Sequence, residues 1–450
     1  MRRSVKRGVG IAVLVVVIVV LAGVGWIVFG PGPLDFAGGT TVPLESYKDG
    51  TPTGVPAALA NASLIERGQY LAEAGDCAAC HTVKGGKPYA GGFAFKLPFG
   101  TLYSSNITPD KETGIGNWSD ADFLRAVHKG IAADGTRLYP AFPYAAYTYM
   151  TDEDALAIKA YLFSLPPVHA ETPPNTFTFP FNQRWLMAFW SMFFNPDERF
   201  HPNTGRSPDW NRGAYLAEAL GHCGDCHTPR NPMQALDNRQ KFKGAVAAGW
   251  RAYNITPDQE TGVGAWSDET LAAFIHTGHV DGYGTASGPM GEAIDNSLSH
   301  LRPEDIKALV VYLRTVPPLA DPDLPAPRQA PAAAAPKQGP AEADARGAAL
   351  FAGACASCHG WTGKSPVLDI ATFTGARAVN DPTARNVAQA VVWGVTRQTA
   401  TGPAVMPAFG HAYSNVEIAA IANYVTRRFG ATPSAITADE VAQIRGEAAQ

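Results

Sequence analysis

The chain has no cysteine outside one kind of motif, no dinucleotide-binding glycine fingerprint and no large excess of either charge. All six cysteines fall in three Cys-x-x-Cys-His pentapeptides, which leaves no thiol for a disulfide framework. No further Cys-x-x-Cys exists to complete a structural zinc site. Charged residues make up only 17% and the formal net charge is -4, so the balance calls for no nucleic acid partner. No catalytic-triad motif or second metal cluster appears either, and nothing suggests a substrate site on this chain. Methionine is scarce, at seven residues, which narrows any search for methionine ligands. At 450 residues the length fits roughly three domains of about 150 residues each.

One long apolar run is present, from Val9 to Phe29, preceded by Arg2, Arg3, Lys6 and Arg7. About twenty helical residues at ~1.5 Å each span a bilayer core, and the positive-inside rule keeps the basic end in the cytoplasm. We therefore expect an uncleaved single-pass anchor over residues 1–30. The rival reading is a cleaved signal peptide, which Ala22 and Gly23 leave open.

The three motifs are Cys77, Cys80 and His81; Cys223, Cys226 and His227; and Cys355, Cys358 and His359. Two thiols at this spacing can form thioethers with the two vinyl groups of a haem while the adjacent histidine reaches the iron. Three copies behind an export segment point to three covalently bound c-type haems rather than zinc or a redox dithiol.

The motifs sit in an internal repeat. RGQYLAEAGDCAACHT, NITPDKETGIGNWSD and FLRAVHKGI in the first unit return as RGAYLAEALGHCGDCHT, NITPDQETGVGAWSD and LAAFIHTGHV in the second. A third, diverged unit starts RGAALFAGACASCHG and lacks the NITPD segment. A helix is expected before each motif (67–74, 212–220, 346–354) and another closing each unit (152–165, 303–315, 416–429), from apolar residues at helical spacing. Thr151 with Asp154, Ser119 and Ser267 read as helix caps, and Pro303 fits a first turn. The expected fold class is mainly α. The boundaries read as anchor 1–30, tether 31–61, first unit 62–172, apolar connector 173–204, second unit 205–320, an Ala/Pro linker 321–341, third unit 342–432 and a tail 433–450. Within the connector, the apolar stretch Phe181 to Phe194 reads as a helix buried between two domains, with a membrane-surface or partner-contact helix as the alternative.

A pure electron carrier needs a sixth iron ligand, and methionine is the usual one. Met290, in SGPMGEAI, and Met406, in GPAVMPAFG, lie in loops before the closing helices. In the first unit Phe142 stands where methionine is expected, so Met150 is the nearest candidate, with His128 as runner-up and an open iron as a third reading. Trp118 and Trp266 are placed to bond haem propionates or to pack on the porphyrin. Tyr139, Phe142 and Tyr144 read as part of an aromatic cage.

With these motifs in hand, residues 62–430 resemble the triheme cytochrome c subunit of bacterial membrane-bound dehydrogenases, the alcohol, gluconate and aldehyde dehydrogenase cytochromes. The resemblance rests on the three CxxCH motifs, the duplicated NITPD-x-ETG-x-G-x-WSD segment and the YPA-x-PY loop. It implies three tandem class I-like cytochrome c domains behind one N-terminal transmembrane helix, on the periplasmic side of the bacterial inner membrane. It also implies a separate catalytic dehydrogenase subunit of flavin, PQQ or molybdenum type, a small Fe–S or other subunit as a further partner, and ubiquinone as acceptor. Phe142 and the N-terminal anchor are closer to cytochromes that accompany molybdenum-dependent aldehyde or N-heterocycle oxidoreductases. Two other readings stay open: a haem enzyme with one open iron, such as a peroxidase or thiosulfate-oxidising cytochrome, and a terminal-oxidase cytochrome subunit, against which the repeated NITPD segment argues.

Overall fold

The computed structural model describes residues 10–22, 54–328, 345–399 and 402–447. The expected anchor is described only over residues 10–22, a helix (α1) with exposed apolar side chains; the rest of it lies outside the described residues, as do most of the tether, residues 329–341 of the linker and residues 342–344 of the third unit. Among the described residues no helix is long and apolar enough to cross a membrane.

The first unit runs α2 (Leu64–Ala74), α3 (Cys77–His81), hairpin β1 (Ala94–Leu97) and β2 (Gly100–Tyr103), α4 (Asp120–Lys129), α5 (Tyr144–Tyr147) and α6 (Asp152–Ser164). The connector holds α7 (Leu186–Phe194). The second unit repeats the plan with α8 (Pro208–Tyr215), α9 (Gly224–His227), β3 (Ala245–Ala247), β4 (Trp250–Ala252), α10 (Asp268–Thr277), β5 (His279–Val280), β6 (Gly284–Thr285), α11 (Pro289–Asn296) and α12 (Pro303–Leu313). The third has α13 (Ala345–Ala354), α14 (Ala356–His359), α15 (Arg385–Trp393), hairpin β7 (Val395–Thr399) and β8 (Gly402–Met406), α16 (Asn415–Phe429) and α17 (Ala438–Glu447).

Local chemistry explains the helix starts. Ser63 with Glu66, Ser119 with Asp122 and Ser414 with Glu417 form reciprocal capping boxes. Thr151 and Ser267 also cap as expected. Each haem-bearing helix then crosses its closing helix at a glycine. A Cβ on Gly68, Gly213 or Gly347 would run into the carbonyl of Ala157, Ala308 or Ala420 respectively. The recurring Arg-Gly pair is thus a helix crossing, and it makes the third unit a true member of the repeat.

The first two units share one continuous apolar core, joined by exchanged polar contacts. The Tyr70 hydroxyl donates to Asp305 of the second unit, and the Tyr215 hydroxyl donates to Asp154 of the first, at 2.8 Å. Arg67 lies 3.9 Å from Asp154, while Arg212 binds Asp305 and the Val55 carbonyl. The pattern is an internal two-fold. The third unit has its own core, yet it docks on the second. Arg251 bridges Asp321 and Asp381 at 2.8 and 3.2 Å, and Asn386 pairs with both backbone groups of Arg251.

The connector helix departs from expectation. In α7, Trp190 is buried against Tyr144 and Ala235 and donates its indole N–H to Met233 O at 2.9 Å. Phe189 and Met192, with Trp185 just before the helix, are 55%, 65% and 60% exposed, so α7 is buried between the two units only on its Trp190 face.

Candidate haem sites

All three pentapeptides end in short helices that bring the histidine to one orientation. His81 Nδ1 pairs with Ser105 O at 2.7 Å, His227 Nδ1 with Tyr253 O at 2.6 Å and His359 Nδ1 with Ala371 O at 2.7 Å. A backbone carbonyl can only accept, so Nδ1 carries the proton and Nε2 is the nitrogen that can take an iron. Burial holds all three imidazoles below their usual pKa, which keeps them neutral and able to ligate. The six thiols form no disulfide. Burial pushes the Cys77, Cys80 and Cys223 thiols up to about 12. Among the described residues no group of three His, Cys, Asp or Glu side chains converges as a metal cage does. Two sulfurs and a ring that do not converge, with the ring held by its far nitrogen, fit a haem bound at its edge and at its iron.

The carbonyls that hold the rings escaped the sequence reading, although a signal for two of them was present. Ser105 and Tyr253 immediately precede the repeated NITPD segments. There Asn106 donates to Thr113 Oγ1 and to Val168 O, and accepts from the Thr108 N–H; Asn254 does the same with Thr261, Leu319 O and Thr256. Each segment ties the chain after the closing helix to the residue, just beyond β2 or β4, that offers the carbonyl. The third unit uses a 3-10 turn, Asp369–Ala371, for the same purpose. Trp118 and Trp266 pack on the shared core, Trp266 with its ring centre 4.5 Å from that of Tyr283.

The first two attachment sites adjoin across the internal two-fold. Burial raises the Cys80 thiol, and Asp76, Cys77 and, across the two-fold, Cys226 raise it further. Tyr147 stands between the two sites, its hydroxyl donating to Gly75 O at 2.6 Å and its ring 5.5 Å from that of His222. The second and third sites are coupled by Arg397, 2% exposed in β7, which binds Asp295 of α11 at 2.8 Å. Helix α11 carries Met290 in its first turn, and the hairpin of β7 carries Met406 at the end of β8. Met150 is placed differently, in the shared core and 2% exposed.

Over 419 residues, 88% of this chain and 85% of its relative, the sequence is 39% identical to the fructose dehydrogenase cytochrome subunit of Gluconobacter japonicus. The chain belongs to the cytochrome c subunits of membrane-bound dehydrogenases. The cytochrome c family model matches residues 65–166 and 345–427. The gluconate 2-dehydrogenase cytochrome c subunit of Pantoea cypripedii is 38% identical, over 86% of this chain and 90% of that one. A nicotinate dehydrogenase subunit of Pseudomonas putida is 40% identical over 88% of this chain, which matches only 33% of that longer protein. This cytochrome subunit is an electron-transfer protein that binds haem c covalently.

Proposed function

We propose that the chain is the triheme relay of a periplasm-facing membrane complex, taking electrons from a separate catalytic dehydrogenase subunit and delivering them to ubiquinone. The observation that carries this is the threefold recurrence of one attachment geometry, with the first two sites adjoining across the two-fold and the second and third joined through Arg397. Cys77, Cys80, Cys223, Cys226, Cys355 and Cys358 hold the haems, His81, His227 and His359 bind their irons, and Met290 and Met406 complete the second and third. The haems supply a one-electron couple at each site. The protein orients the imidazoles, walls the sites with apolar residues, and holds the three units in fixed contact.

Residues 9–29 serve as the single-pass anchor, with residues 31–61 as tether, which puts the haem units on the periplasmic side of the inner membrane. The catalytic partner is of aldehyde, alcohol or sugar-acid type, and the nicotinate dehydrogenase relative supports testing the molybdenum-dependent aldehyde and N-heterocycle class first. Purification of the complex in mild detergent, with subunit mass spectrometry and substrate-driven haem reduction, tests the reading. A dehydrogenase that copurifies and reduces all three haems with its substrate supports it. A chain that purifies alone and turns over peroxide or a sulfur compound defeats it.

A further inference from the structure

We infer that the haem held by Cys77, Cys80 and His81 receives no sixth ligand from the protein, and that its distal side is a binding site for a small neutral molecule such as a diatomic gas. The inference rests on the triheme reading and on Met290 as ligand in the second unit.

The internal repeat supplies a register that can be checked at both ends of the distal loop. Helices α4 and α10 end on the left-handed glycines Gly130 and Gly278. Leu138 N–H donates to Gly130 O, and Ala286 N–H donates to Gly278 O, both at 2.8 Å. Four residues beyond these matched positions stand Phe142 and Met290. At the far end, Thr151 and Arg302 are the N-caps of α6 and α12. Their N–H groups donate to the hydroxyls of Tyr215 and Tyr70, both at 3.1 Å. One residue before each stand Met150 and Leu301, 2% and 4% exposed in the same core. The unit that owns Met290 therefore uses leucine where the first unit uses Met150. A methionine in leucine's place fills core. Residues 130–149 contain no other methionine.

Two competitors remain: Met187 of α7, half-buried on the same Tyr144–Trp190 cluster as Phe142, which a Met187→Leu variant tests below, and His128, which is buried with an unpartnered Nε2. Its surroundings place it elsewhere. Its Nδ1 lies 3.6 Å from Asp152, its carbonyl accepts from Asn195 of the connector, and Arg199 and Asp197 act on it electrostatically. The matching His276 lines an open cleft at the seam of the first two units, with Glu66, Gln69 and Tyr70 of the first and His300 and Arg302 of the second.

Phe142 packs on Tyr147 with ring centres 5.5 Å apart. The hydroxyls of Tyr139, Tyr144 and Tyr147 are committed to Phe181 O, Ser191 and Gly75 O. An apolar wall with its hydroxyls engaged offers neither an acid to cleave peroxide nor a donor to hold an anion. It suits a neutral ligand.

Carbon monoxide is the probe, added to the reduced full-length protein after its covalent haem content is confirmed as three. Near-infrared magnetic circular dichroism of the oxidised protein counts methionine-ligated irons. We expect one haem of three to bind carbon monoxide and two methionine signals. Met150→Leu should change neither reading, nor should Met187→Leu or His128→Gln. Phe142→Met should abolish carbon monoxide binding and add a third methionine signal. Loss of a methionine signal in Met150→Leu or Met187→Leu overturns the inference, as does a second carbon monoxide site opened by Met150→Leu, Met187→Leu or His128→Gln. So does a native protein with three haems and no carbon monoxide binding. If Phe142→Met fails to fold, the native protein and Met150→Leu decide alone. A chain carrying fewer than three covalent haems would instead sink the triheme reading beneath it.

Discussion

At Gly213 the smallest possible enlargement already has nowhere to go, since the carbonyl of Ala308 occupies the space a Cβ would need. Gly213→Ala should destabilise the protein by about 1–3 kcal/mol through overpacking, read as a lower thermal midpoint with haem content unchanged. Asp154 gives a second test at this scale. It is fully buried, and burial raises its pKa above the usual carboxylate value despite the Tyr215 hydroxyl and Arg67. An acid whose folded pKa exceeds its unfolded one contributes stability that is present at low pH. That contribution is lost as pH rises from about 3.9 through the raised value. Asp154→Asn should therefore flatten the fall in stability over that window, measured as denaturation midpoint against pH. A midpoint curve parallel to the native one would refute it.

Among the elements, the haem-bearing and closing helices were legible in the sequence to within a few residues, because their apolar periodicity and caps are local signals. The attachment residues are read from sequence alone, from the spacing that a covalently bound haem requires. What the sequence concealed was which surfaces meet. The Arg-Gly crossings, the carbonyls of Ser105, Tyr253 and Ala371, and the Tyr70–Asp305 exchange all depend on partners far along the chain. The connector misled for a related reason. Helix α7 contains no charged residue, so composition cannot separate its buried side from its exposed one. The structure makes that split testable. Trp190→Ala should cost about 3–5 kcal/mol as a buried aromatic truncation, whereas Trp185→Ala should leave stability nearly unchanged; equal effects in a denaturant titration would contradict the assignment.

Across the whole molecule, the Ala/Pro linker suggests a loosely held third unit, but Arg251, Asn386 and Arg397 hold it against the second. Arg397 is the most consequential, since it joins α11, with Met290, to the hairpin that ends in Met406. Arg397→Ala leaves Asp295 with only the Gln398 N–H and no countercharge, and should weaken this docking by about 3 kcal/mol. The expected readouts are faster proteolysis within residues 329–344 and slower electron equilibration with the third haem. Unchanged proteolysis and unchanged equilibration would show that the other contacts suffice.

The exchange in which Tyr70 seeks Asp305 while Tyr215 seeks Asp154 has the form of an isologous dimer contact, where residue i of one copy meets j of the other and j meets i. The first two units make inside one chain the interface that two copies of a shorter ancestor would make between chains. Covalent fusion then fixes their stoichiometry and frees each half to diverge, which is how one half can keep Met290 while the other carries Phe142. If the contact retains that character, residues 54–204 and 205–328 produced as separate chains should copurify as a heterodimer, and Asp305→Ala should abolish their association.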